Sequence, residues 1–514
     1  MLMARPSRWT RRSTWAWLGV VGVAAWAVFV SLWRLSAAPV TSDEPVYAAA
    51  GWGYLHAKWG QASGGNFEHP PLAKLLFGVA QLVAGHPSIT AARAIGAVST
   101  LLTALVLAAW LTRARNLRTG LIAAGLYTLI PTSLMPQLTG LGRTAMLDPV
   151  AELFMVTSVA LTWLWFTTTG RTSWRWAIIT GIAVGLAAAS KENGFLGAVG
   201  PVALGICTAR RSESHRTRQA AVAAAAALTT FAATYLPLGN PLALIDYLIR
   251  FQLGQRNNGH LVGYAGRVDE HPRWWANLWF AWHSLGAPVA LALIAATTAA
   301  VVLRRDRLTA WCLAALAAPV LFHCFLAGNT LPFYWAMWMP ALYALAALGT
   351  DELLTRIRRT SSPRYCLPAV ALLGLCAAPV TTAAVVNTAR VANLSPVGGA
   401  VLAAIRHDYS LTGSVLTTGL PTAELQPYLP NTVILSSLPD DLRYVGMVVI
   451  GQPRCRQPSD PAVRALLAAN EHSGVLHRIC SDRLITVYVA TSPLARPTSS
   501  EIASQPASQA SDHC

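Results

Sequence analysis

Asp43 and Glu44 put two carboxylates side by side, and Glu68-His69-Pro70-Pro71-Leu72-Ala73-Lys74 follows in the same polar stretch. A carboxylate within hydrogen-bond reach of a hydroxyl can take its proton, the work of a general base. The two prolines suit the start of a helix, whose first turn tolerates missing N–H donors, so Glu68, His69 and Lys74 are presented where that helix begins. Each feature also has a plainer reading. An acidic pair at a helix start is an ordinary cap, and polar residues beside a proline-started helix commonly face water. Their shared loop favours a site.

Further cations follow at Arg93, Arg143 and Lys191. Preorganised Arg or Lys side chains suit an anion such as phosphate. Asp148 lies five residues beyond Arg143 across an expected helix start, so an Arg–Asp pair bracing the loop is the structural alternative. Glu44, Glu68, His69 and Asp148 are of types that divalent metals accept. Their spacing demands none, so a divalent metal stays open and unassigned, and no other cofactor is implied.

The elements that must position these residues are membrane helices. The chain has 514 residues, 54% of them hydrophobic and 12% charged, with a mean hydropathy of +0.44. A soluble protein could not keep that much apolar surface from water. The formal charge is +17, but the basic residues sit in short clusters between apolar runs. That placement follows the positive-inside bias and speaks against nucleic acid as a partner. The clusters are Arg113/Arg115/Arg118, Arg171/Arg175, Arg210/Arg211/Arg216/Arg218, Arg304/Arg305/Arg307 and Arg356/Arg358/Arg359. Placing all five on the cytoplasmic side leaves about eleven spans, near 15–35, 88–111, 119–138, 149–168, 177–189, 194–208, 219–237, 278–303, 308–327, 333–350 and 365–384. Each is near the length that a hydrocarbon core asks of a helix, the two around Ser190–Asn193 being short. The run Pro70–Ala84 is short for a span and reads as a juxtamembrane helix. The first run is too long for a signal-peptide core.

This topology expects a basic cytoplasmic segment at 1–14, a membrane domain at 15–384 and the polar loops with Asp43, His69, Asp148 and Lys191 outside. From about 385 to 491 the chain reads as a small extracytoplasmic α/β domain, with strands at Val415–Thr418, Val433–Leu435, Val445–Ile450 and Leu484–Ala490 and a helix at Pro461–Ala469. Residues 492–514 are rich in Ser, Ala and Pro and are expected to be disordered. Cys455 and Cys480 would suit a disulfide if that domain is outside.

Asp43-Glu44 followed by His69-Pro70-Pro71-Leu72-Ala73-Lys74 resembles the protein O-mannosyltransferase family of GT-C glycosyltransferases, whose members carry an Asp-Glu pair and a His-Pro-Pro-Leu-Gly-Lys stretch in the first external loop. Ala73 replaces the usual glycine. The similarity continues at Arg93, at Arg143-Thr-Ala-Met-Leu-Asp148 and at Ser190-Lys191-Glu192-Asn193-Gly194, where relatives often have an aromatic residue in place of Glu192. It covers roughly residues 15–350 and lacks the external β-trefoil module of eukaryotic members, which points to the prokaryotic type.

The resemblance implies an all-α polytopic GT-C enzyme of the plasma membrane. It would move a sugar, mannose in the leading reading, from a polyprenyl-phosphate donor to a protein Ser/Thr hydroxyl. Asp43 would be the base, with Glu44 beside it. Glu68, His69, Lys74, Arg93, Arg143, Asp148 and Lys191 would bind donor phosphate or substrate. One carboxylate suffices for a single inverting displacement, because phosphate leaves readily once cations meet its charge; glycosidases need two because an alcohol leaves poorly. Relatives also include aminoarabinose transferases, so a glycolipid or envelope glycan is the alternative acceptor. A lipid or solute transporter is the rival from another class. It is disfavoured because the charged residues gather on one side and not at midspan.

Overall fold

The structure is a computed structural model and describes residues 8–37, 43–56, 65–130, 140–209, 215–260, 262–328, 330–359, 363–393, 414–418, 434–435, 442, 445–451, 461–481 and 485–498. The chain divides into two compact units. The first comprises Met1–Leu35, Tyr47–His260 and Glu270–Leu394; the second comprises Ser36–Val46, Leu261–Asp269 and Ser395–Cys514.

The helices in chain order are α1 (Arg8–Leu32), α2 (Asp43–Leu55), α3 (Leu72–Ala84), α4 (Ile89–Ala114), α5 (Leu117–Leu129), α6 (Asp148–Thr167), α7 (Gly170–Ser190), α8 (Leu196–Cys207), α9 (His215–Ala233), α10 (Pro241–Asn258), α11 (Ala276–Leu285), α12 (Ala287–Arg304), α13 (Arg307–Leu321), α14 (Met339–Arg359) and α15 (Pro363–Ala392). Each of the eleven apolar runs contains a helix. Among the described residues six stretches are long and apolar enough to cross a bilayer: Ile89–Ala114, Asp148–Thr167, His215–Leu238, Ala287–Arg304, Arg307–Leu326 and Ala369–Ala392. Trp17–Leu32, Leu72–Ala84 and Leu196–Cys207 are shorter apolar helices.

Local chemistry accounts for the departures from the apolar pattern. The run 278–303 breaks in two at Gly286, whose φ of 75° a helix cannot contain. The polar stretch after residue 239 forms α10, started by Pro241 and by the Asn240 side chain, which accepts from the N–H groups of Leu242 and Ala243. Pro319 lies inside α13, and the chain then opens into a π-helical turn, Phe322–Leu326. A missing N–H and a widened turn commonly go together at such a bend.

Small residues let the helices of this unit approach closely. A Cβ on Gly51 of α2 would strike the Lys74 carbonyl and the Gly78 amide of α3, and one on Gly78 would strike the Gly51 carbonyl. Gly96 of α4 similarly admits the Thr144 carbonyl. Backbone contact of this kind is how helices pack where lipid removes the hydrophobic drive. α9 and α15 leave most of their apolar surface uncovered, the surface that acyl chains would meet.

At the α4–α5 turn, fully buried Asp351 of α14 accepts from Arg118 Nε (2.7 Å), Arg115 Nε (3.3 Å) and Asn116 Nδ2 (3.2 Å). Arg216 of α9 donates to the carbonyls of Trp165 (2.9 Å) and Thr168 (2.8 Å), and Arg307 to that of Phe166 (3.1 Å), meeting the open carbonyls where α6 ends. Asp351→Asn removes the charge that the two guanidiniums share. Since both are about one-third exposed, solvent screening limits the expected loss to about 2 kcal/mol. It would be read as a lower unfolding midpoint of the purified protein in detergent.

The second unit carries a hairpin, β1 (Val262–Tyr264) with β2 (Arg267–Asp269), turning through Ala265 and Gly266, both at positive φ. It also carries a five-stranded mixed sheet of β3 (Ser414–Thr418), β4 (Ile434–Leu435), β5 (Val445–Gly451), β6 (Leu476–Ser481) and β7 (Ile485–Ala490) in the order β4-β3-β5-β7-β6. β3 runs parallel to β4 and β5, and β7 antiparallel to β5 and β6. Helix α16 (Pro461–His472) supplies Val463, Leu466 and Leu467 to a core with Leu416, Val448 and Tyr488. The expected strands and helix are present, and β6 is additional. Residues 492–498, expected within the disordered tail, are pinned here: Leu494 joins the core, and the Asn470 side chain brackets the Ala495 backbone at 2.8 and 2.9 Å. The expected Cys455–Cys480 bridge involves a position outside the described residues.

Candidate active site

The loop before α3 is built by its own polar groups. Lys74 is fully buried, and its ammonium donates to the Asn66 carbonyl, to Asn66 Oδ1 (3.2 Å) and to the His69 carbonyl (2.8 Å). Three acceptors match the three donors of an ammonium. Burial draws Lys74 down to about 7, while Glu68 and Glu192 pull the other way. Gln252 of α10 donates to the Glu68 carbonyl (2.8 Å), fixing the loop from the other side. Tyr47 of α2 meets the His69 ring edge-on at 5.8 Å, and His69 Nδ1 lies 3.3 Å from Glu192 Oε2.

Glu192 comes from the loop that joins α7 to α8. Burial alone would raise its carboxyl, but His69 and Lys191 outweigh that and hold it down at about 2. Its neighbour Lys191, 4% exposed at the side chain, pairs with Asp148 Oδ1 at 2.6 Å and stands 4.9 Å from the ring centres of both Phe333 and Tyr334. Asp148 opens α6, where the helix dipole also favours a carboxylate. Its Oδ2 is buried without a hydrogen-bond partner among the described residues.

Asn193, next in the same loop, faces His323 Nε2 through its side-chain amide at 2.8 Å. Trp338 Nε1 can only donate, so His323 takes that bond (3.0 Å) on Nδ1 and carries its proton on Nε2. The Asn193 amide therefore presents its oxygen to that proton. Asn277 of α11 donates to the His323 carbonyl (2.9 Å). The π-helical turn that ends α13 is thus tied to the Lys191 loop.

The two arginines have a different place. Arg93 donates to the Leu35 carbonyl (2.9 Å), and Arg143 to the carbonyls of Val30 and Trp33. Both meet open carbonyls at and just past the end of α1. Arg143 and Asp148 are therefore not a pair; each is engaged elsewhere. Burial lowers the Arg143 guanidinium to about 10, with Arg93 adding to the effect, which leaves it charged at neutral pH.

Asp43 and Glu44 form the first turn of α2, with Glu44 fully buried. Of the other candidates, the structure joins Glu68, His69 and Lys74 in one loop, ties that loop to Glu192 beside Lys191, and joins Lys191 to Asp148. Sequence reasoning missed the Glu192 contact, His323, Asn277 and Gln252. It also missed Glu152, buried one turn beyond Asp148 and bonded by the Tyr127 hydroxyl at 2.6 Å. An acidic residue inside an apolar run was the available signal for Glu152. Among the described residues no group of three His, Cys, Asp or Glu side chains is arranged to hold a metal ion.

Residues 68–236 match the family model described as dolichyl-phosphate-mannose-protein mannosyltransferase. By sequence, no curated protein matches the chain. By structure, the chain is similar to ArnT from Cupriavidus metallidurans bound to undecaprenyl phosphate, with a TM-score of 0.62 and 18% identity, over 95% of this chain and 100% of that one. It is also similar to the oligosaccharyltransferase AglB from Archaeoglobus fulgidus in complex with an inhibitory peptide and a dolichol-phosphate. There the TM-score is 0.54 and the identity 12%, over 86% of this chain and 70% of that one. The family match over residues 68–236 and the fold shared with these proteins support a membrane glycosyltransferase of the GT-C type.

Proposed function

We propose that this enzyme transfers mannose from a polyprenyl-phosphate donor to a Ser or Thr hydroxyl of a protein, on the extracytoplasmic side of the plasma membrane. The supporting observation is that the family match, residues 68–236, spans the polar cluster of Glu68, His69, Lys74, Asp148, Lys191 and Glu192. Asp43 takes the proton of the acceptor hydroxyl while its oxygen attacks the anomeric carbon. The bond to the phosphate oxygen breaks with its electron pair going to the phosphate, and the configuration inverts. Lys191, Arg93 and Arg143 supply positive charge for the phosphate, while Lys74, its three donors taken by Asn66 and His69, holds the loop beside it. The first three are already held by protein partners, so little reorganisation accompanies the charge they meet.

A second reading, transfer to a glycolipid or envelope glycan, draws support from the likeness to ArnT over that protein's full length. One experiment separates the two. Membranes carrying the enzyme are given labelled polyprenyl-phosphate mannose, and the products are split into protease-sensitive and solvent-extractable fractions. Label in protein is expected. Label in lipid alone would favour the second reading, and no transfer from any polyprenyl-phosphate sugar would overturn both.

A further inference from the structure

Glu192 and His69 lie 123 positions apart and meet at the loop before α3, His69 Nδ1 standing 3.3 Å from Glu192 Oε2. An ionised carboxylate has no proton to give. The 3.3 Å contact, at the long end for an N–H···O bond, is thus a bond only if His69 Nδ1 carries the hydrogen. In the neutral ring that leaves the lone pair on Nε2, and among the described residues no hydrogen bond to Nε2 is formed. The ring is held from three sides. Lys74 takes its backbone carbonyl, Tyr47 meets the ring edge-on at 5.8 Å, and Glu192 fixes its tilt. It is nonetheless 23% exposed at the side chain, so a substrate can reach it.

We infer that Glu192 fixes His69 as the Nδ1–H tautomer, and that the lone pair of His69 Nε2 accepts a hydrogen bond from a substrate hydroxyl, on the transferred sugar or on the acceptor. This rests on the glycosyl-transfer reading above and adds to it a positioning role for Glu192. A rigid acceptor nitrogen recognises an O–H and rejects an analogue that lacks it, because the nitrogen then loses water without regaining a partner. Phosphate oxygens have no hydrogen to offer a lone pair, so the lipid phosphate falls to the cations.

Two measurements on the full-length purified protein test this. The first is the ¹⁵N spectrum of labelled histidines, with His69→Asn identifying the resonance. Wild type should show a protonated Nδ1 and a bare Nε2. Glu192→Phe, which removes the acceptor, should show a mixture of tautomers, and Glu192→Asp should restore the wild-type signal. A mixture already present in wild type, or a signal indifferent to Glu192→Phe, overturns the proposal.

The second is steady-state transfer. His69→Asn can keep a donor toward Glu192 but has no Nε2, and should lower kcat/KM about tenfold. A rise in the donor KM, with wild type alone discriminating against deoxy-sugar donors, assigns the hydroxyl to the sugar; a rise in the acceptor KM alone assigns it to the acceptor. A working enzyme indifferent to His69→Asn overturns this proposal and leaves the glycosyl-transfer reading standing. A wild-type protein that transfers nothing overturns that reading and the substrate half of this one with it.

Discussion

Asp43→Asn is expected to lower kcat by about 10²- to 10⁴-fold, the usual worth of a positioned general base. Asparagine keeps the shape and polarity of the side chain but does not take up a proton at any relevant pH. It is also as good a residue as aspartate at the start of a helix, and Asp43 opens α2. The unfolding midpoint and the donor KM should therefore stay near wild type, which is the pattern of a group needed in the transition state and not for ground-state binding. Transfer at more than a tenth of the wild-type rate would place the base elsewhere, with Glu44 the next residue to replace.

The second large effect concerns Lys191 and Asp148. Both are buried and their charged atoms are 2.6 Å apart. Removing one partner leaves an uncompensated charge away from water, which costs about 3–5 kcal/mol. The two sides are not equivalent. Asp148→Asn leaves an ammonium that still faces the rings of Phe333 and Tyr334, a contact worth up to about 2 kcal/mol when desolvated. Lys191→Met leaves a carboxylate with one oxygen already unpartnered, and should unfold at the lower temperature of the two. The double variant Asp148→Leu with Lys191→Met removes both charges at similar volume and should recover most of the stability. It should not recover full transfer, because one of the cations offered to the donor phosphate is gone. Recovery of both would make the pair a packing device and nothing more.

The membrane architecture was legible because it rests on hydropathy, a property each residue carries by itself. Eleven apolar runs gave eleven places with helix, and four of the five strands of the sheet were visible as runs of branched residues. What escaped was set by other signals. β6 places His477 and Arg478 among its residues, so its pattern is broken by charge, and its strand character comes from pairing with β7. α10 mixes seven polar residues among its eighteen and was hidden inside a loop, although Asn240-Pro241 is a recognisable start.

At the site, residue types were legible for a related reason, since a charge in so apolar a chain stands out. Their partners were not. Lys191 meets Asp148 across 43 positions and His69 meets Glu192 across 123, and no local pattern encodes contacts between helices so far apart. Arg143 shows the difference most clearly. Its neighbour in sequence is Asp148, yet its bonds go to the end of α1.

That attachment bears on how the protein is made. The carbonyls of Val30, Trp33 and Leu35 are met by side chains 113, 110 and 58 positions further on. A chain that enters the bilayer from its N-terminus therefore presents its first helix before either arginine has been synthesised. The end of that helix must stay hydrated, at the surface, until α4 and the loop before α6 arrive to take it in. Its final seating is a late event of biogenesis, although its residues are the earliest in the chain.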